Sequence, residues 1–93
     1  MTVFAKDPSS TLDYSFDWSG WLAPGETITS PSWTVTPAGG GAPVLSGAEQ
    51  EGEVTAVTVA GGVTGNRYRL SCQIETDQGR IAERSAAIRV MEV

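Results

Sequence analysis

Between Tyr68 and Glu75 the chain alternates without a break. Tyr68, Leu70, Cys72 and Ile74 are apolar or weakly polar, and Arg69, Ser71, Gln73 and Glu75 lie between them. A period of two belongs to a strand with one face in a core and the other in water. No window of a dozen residues keeps the i, i+3, i+4 apolar spacing that an amphipathic helix needs. Eleven glycines and five prolines in 93 residues also punctuate the chain too often for a long helix. These features constrain the chain to short strands joined by turns.

Other strands follow from the same period. Leu12, Tyr14 and Phe16 alternate with Asp13, Ser15 and Asp17, so three large side chains share one sheet face. Ile28, Trp33 and Val35, the last two among Thr34 and Thr36, mark another strand, with Pro31 pointing to an edge position or a bulge. After the Pro37–Pro43 loop a short strand is expected at Val44–Ser46. Residues 54–60 are β-branched and end at Gly61-Gly62. Asp77-Gln78-Gly79-Arg80 supplies a tight turn, after which a long strand from Ile81 to Met91 runs back antiparallel to the Tyr68 strand. Six or seven strands with a turn signal every ten residues or so predict an all-β, immunoglobulin-like antiparallel sandwich of two sheets, with residues 1–93 as one domain.

Two aromatic features refine that expectation. Tyr68 enters its strand directly after Gly62-Val63-Thr64-Gly65, the place of a tyrosine corner, whose phenol oxygen bonds backbone near Gly62–Gly65. Trp33 is expected as the packed central tryptophan, in a core with Tyr14, Tyr68 and Cys72. Trp18 and Trp21 flank Ser19-Gly20, where alternation stops. They can cap the open end of the core, or one of them can anchor a protein interface.

The formal charge of −5 argues against nucleic-acid binding, which needs clustered cations. Charge is unevenly spread. Residues 1–66 carry seven carboxylates against Lys6, whereas residues 67–93 carry five arginines against four carboxylates. If the two regions surface on different faces, the molecule is electrically polar, which favours head-to-tail or hetero-contacts. The single Cys72 cannot form an internal disulfide, so packing must supply stability, which fits folding in a reducing cytoplasm. Neither a signal-peptide pattern nor an apolar run of membrane-spanning length is present, so a soluble chain without its own export signal is expected.

Chemistry is sparse. With no histidine, the usual general base, zinc ligand and Ser-His-Asp triad are all missing. Cys72 lies mid-strand among inward residues with no activating neighbour in its strand. The glycine clusters lack phosphate-loop spacing. Asp13 and Asp17 share one polar strand face without a pocket, and Glu49, Glu51 and Glu53 lack the alternating pattern of a calcium loop. No catalytic residue, metal site or cofactor is expected.

The order Lys6-Asp7-Pro8, Leu12-Asp13-Tyr14, Asp17-Trp18, Trp21-Leu22, Gly25-Glu26-Thr27-Ile28 and Ser32-Trp33-Thr34 resembles the opening of small tailed-bacteriophage fiber-tail adaptors. Val57-Thr58-Val59, Gly61-Gly62, Gly65, Tyr68, Thr76-Asp77, Gly79-Arg80 and Glu83-Arg84-Ser85 follow the same order in the second half. The resemblance implies an immunoglobulin-like virion protein, assembled in the host cytoplasm, that joins fibre to tail or neck. Implied partners are tail, neck and fibre proteins, met by several copies under the symmetry of the tail, with no nucleic acid and no membrane. Trp18 and Trp21 with Arg80 and Arg84 are the expected contact residues. The alternative readings are a carbohydrate- or host-surface-binding sandwich, with Trp18 and Trp21 stacked on sugar rings, and a head or neck decoration protein.

Overall fold

A computed structural model describes residues 2–92. Seven strands, β1 (Thr2–Lys6), β2 (Thr11–Asp17), β3 (Ile28–Thr36), β4 (Val44–Glu51), β5 (Val54–Ala60), β6 (Arg67–Thr76) and β7 (Ile81–Val90), form two sheets. One has the order β1-β7-β6-β3 and the other β2-β5-β4. The architecture is an immunoglobulin-like sandwich.

The strongest alternation lies at the centre. β6 pairs antiparallel with β7 on one side and with β3 on the other. The β6–β7 turn uses Gly79 at φ 76°, a conformation that a β-carbon makes costly. β5 holds the middle of the smaller sheet, antiparallel to β2 and β4. Pro31, which has no N–H to donate, sits on the edge strand β3, whose bulge falls between Ile28 and Ser30.

Two elements depart from the expected pattern. β1 lies along β7 in parallel, with Phe4 opposite Ile88. Its five residues carry too little alternation to declare a strand. β4 runs to Glu51 and not only to Ser46, because a register shift between Ser46 and Glu49 absorbs Gly47 and Ala48 and hides the period.

The core fills the space between the sheets. Val57, Val59, Tyr68, Leu70, Ile88 and Val90 make one buried cluster, and Trp18, Ile28, Cys72 and Ile74 make another. Fully burying each large aliphatic side chain stabilises the fold by about 1.5–3 kcal/mol. Trp33 touches both clusters but is only half-buried, which corrects its expected place at the packed centre. It projects from an edge strand, where one flank has no neighbouring strand, and it stacks on Phe16 with centroids 5.5 Å apart. Tyr14 is likewise half-buried, against Phe4 at 4.9 Å. Tyr68 and Cys72 are buried, and burial pushes the Cys72 thiol pKa up.

Tyr68 Oη accepts a hydrogen bond from the Val63 N–H at 3.2 Å, the geometry of a tyrosine corner. Gly62 makes the close turn above it possible. At φ 106° a β-carbon there would come within 2.7 Å of Val90 Cγ2.

Candidate functional site

At one end of the sandwich the chain leaves β2 at Asp17 and crosses to β3. Asp17 Oδ1 accepts the Ser19 N–H at 2.9 Å, and this bond with the Ser19 hydroxyl holds the Asp17 carboxyl below its ordinary pKa. Trp21 N–H and Leu22 N–H then both donate to Trp18 O, at 2.9 and 3.0 Å. This tight turn throws Trp18 inward and leaves Trp21 nearer the surface. Trp18 is 1% exposed. Its Nε1 donates to Thr55 Oγ1 at 3.0 Å, and Thr55 in turn meets Cys72 Sγ at 3.5 Å.

The β6–β7 hairpin closes over this turn with two arginines. The Arg80 guanidinium lies 4.0 Å from the centre of the Trp21 ring, and that of Arg84 4.5 Å from the Trp18 ring. Arg80 Nη2 donates to Trp21 O at 3.2 Å, and Arg84 Nη1 donates to Asp17 O. Each arginine therefore covers a ring and ties down a nearby carbonyl. The four residues expected at a contact do converge on one place.

Glu26, which the sequence did not single out for a role, completes the arrangement. Its carboxylate is buried and takes a two-pronged pair from Arg80, through Nε to Oε2 at 2.9 Å and through Nη2 to Oε1. Thr76 Oγ1 donates to Oε2 at 2.6 Å and Ala23 N–H to Oε1 at 2.9 Å. These donors, the Arg80 guanidinium foremost, hold the Glu26 carboxyl at about 2. Arg80 stays 43% exposed at the side chain, so the clamp presents a positive, ring-backed rim while its acid is hidden. No local residue pattern marks Glu26, because its side-chain partners Thr76 and Arg80 lie 50 and 54 positions away.

The burial of Trp18 corrects two expectations. An indole in the core cannot anchor a partner, so the surface part of the cluster is Trp21 with Arg80 and Arg84. A sugar platform also needs two exposed, coplanar rings. Here the Trp18 and Trp21 planes meet at 72°, edge to face, with arginines over both rings. That pair cannot stack on a sugar.

Other clefts are shallow. One, of about 450 Å³, opens beside Leu22, Pro24, Glu26 and Glu53, and another, of about 240 Å³, lies over Glu49, Glu51, Val54 and Ala56 on an outer sheet face. Among the described residues no three histidine, cysteine, aspartate or glutamate side chains gather as a metal site.

Comparison with known proteins bears on this arrangement. The family model described as podophage GP4 fiber-tail adaptor protein gp77 matches residues 6–89. The chain belongs to this family. The match runs from the last residue of β1 to the penultimate residue of β7, so it takes in β2 to β6, nearly all of β7 and the whole aromatic–arginine clamp. Among solved structures, the solution structure of the PKD domain from KIAA 1837 protein is similar, with a TM-score of 0.62 at 17% identity over 99% of this chain and 82% of that one. At that identity the likeness speaks for the fold alone, an immunoglobulin-like sandwich. A search of curated proteins found no match. Fiber-tail adaptor family members are phage structural proteins, which places this chain among virion components.

Proposed function

We propose that this fiber-tail adaptor family member is a non-enzymatic component that joins a tail fibre to the phage tail or neck through protein–protein contacts, in several copies arranged by the symmetry of the tail. The family match over residues 6–89 carries the reading. The surface agrees with it. The clefts are shallow, and the most ordered polar cluster, Glu26 with Arg80 and Thr76, is spent on holding a loop against a hairpin. A clamped loop makes a rigid rim, and rigidity lowers the entropic cost of docking. Trp21 with Arg80 and Arg84 is the part of that rim suited to a partner, since an aromatic beside arginine is frequent at interface centres.

The test is incorporation into particles. Trp21→Ala combined with Arg84→Ala removes ring and charge from the rim but leaves Glu26 and Arg80 in place. Phage carrying this variant should assemble particles with reduced fibre occupancy, while the variant protein stays folded. Full fibre occupancy would take the rim out of the contact.

A further inference from the structure

The two outer sheet faces carry opposite charge. On β2-β5-β4, register places Asp13 beside Thr58, Asp17 beside Val54, Glu49 beside Ala56 and Glu51 beside Val54. All four carboxylates are exposed. They form two acidic rails, on β2 and β4, along a floor of small side chains on β5, and none of the strand residues on this face is basic. On the opposite side, the outer face of β1-β7-β6-β3 carries Arg67, Arg69 and Arg89, also exposed, at the end where β6 begins and β7 finishes. The only carboxylates its strands add, Glu75 and Glu83, lie at the other end, toward the β6–β7 turn.

The strands at the arginine end carry no carboxylate; exposed Glu92, just past β7, is the acid nearest in sequence to Arg89. Arg67 sits directly opposite Arg89 across the β6–β7 ladder, and like charges so placed repel. None of the three arginines makes an ion pair with a carboxylate among the described residues. Exposed Val3 flanks this patch on β1, opposite Ala87 and two residues from Ala5, which sits opposite Arg89, and exposed Val44 lies at the end of the acidic face opposite Ala60. Each face thus offers charge with an apolar neighbour, and the charges are complementary.

We propose that the arginine face of one copy docks on the acidic face of a second copy of this chain. The two patches lie on opposite sides of the sandwich, so the contact is head-to-tail. Repeated, it gives a ring where the rotation between copies closes, and an open filament where it does not. It is also weak. Three strands about 4.8 Å apart and seven residues long cover roughly 350 Å² in projection, well under the about 800 Å² per partner of a stable interface. Pairs of copies therefore associate only when charge is unscreened or when a symmetric tail holds many copies together.

Charge reversal in matched variants tests this. Arg69→Glu with Arg89→Glu makes both faces acidic, and Glu49→Lys with Glu51→Lys turns the β4 rail basic and leaves only Asp13 and Asp17 of the acidic rails. Sedimentation of the wild type in about 20 mM salt should show self-association that falls tenfold or more at about 0.3 M salt. Each variant alone should be monomeric and folded, with a melting temperature no lower than that of the wild type, since Arg89→Glu replaces a repelling pair with Arg67 by an attracting one, and an equimolar mixture of the two should associate again. A wild type that stays monomeric in low salt, variants that associate as the wild type does, or a mixture that fails to associate would each overturn the contact. The inference takes its setting from the adaptor reading but fails separately: a protein present in virions yet monomeric at low salt loses this contact and keeps its adaptor role.

Discussion

The Trp18 indole donates its hydrogen bond to Thr55 Oγ1, 3.0 Å away, and so fastens the loop after β2 to the middle of the smaller sheet. Both groups are buried. Thr55→Val keeps the shape and removes the acceptor, which strands the indole N–H and should cost about 1–3 kcal/mol. The midpoint of a chemical denaturation curve reports the loss, and an unchanged midpoint would mean that the indole finds another acceptor.

Glu26 ties stability to acidity. Its carboxyl titrates at about 2 in the fold against an ordinary 4.5, so the unfolded chain takes up this proton first as pH falls. The stabilisation is fully present above about 4.5 and disappears toward about 2. Melting temperatures of wild type and Glu26→Gln should therefore differ most above pH 4.5 and converge on approach to pH 2. A gap that stays constant over that window would show that the carboxylate charge contributes nothing.

Two tyrosines should respond oppositely to loss of the hydroxyl. Tyr68 Oη is bonded by the Val63 N–H, so Tyr68→Phe should cost about 0.5–1.5 kcal/mol. Tyr14 Oη is buried with no hydrogen-bond partner among the described residues, and that burial raises its pKa. Tyr14→Phe removes a desolvated polar atom and should be neutral or stabilising by up to about 1 kcal/mol. Equal losses at both positions, measured by denaturation, would contradict the difference in their surroundings.

What could be read from residue order was the part governed by local periodicity. β6 and β7 declare themselves by alternation and β5 by its β-branched run ending at Gly61-Gly62, and the Asp77–Arg80 turn fixes the register between β6 and β7. β1 could not be read, since its place depends on parallel pairing with a strand more than eighty residues later. Lys6 shows the same limit. Its fully buried Nζ donates to the carbonyls of Asp7, Ser10 and Gly61 at 2.6–3.0 Å, and nothing near Lys6 in sequence signals a carbonyl from Gly61. Burial is also the main reason that its pKa is lowered. At the candidate site, the meeting of Trp18 and Trp21 with Arg80 and Arg84 was legible from residue type. The inward turn of Trp18 was not, because it follows from hydrogen bonds at Ser19, Trp21 and Leu22 and from the threonine waiting on β5.

Imaging of purified virions at a resolution that separates strands tests the proposed connector role. A connector shows as density for the two-sheet sandwich, repeated around the tail or neck, with each copy touching both a fibre and a tail or neck protein. The contrary result is a protein abundant in infected cells yet missing from purified particles.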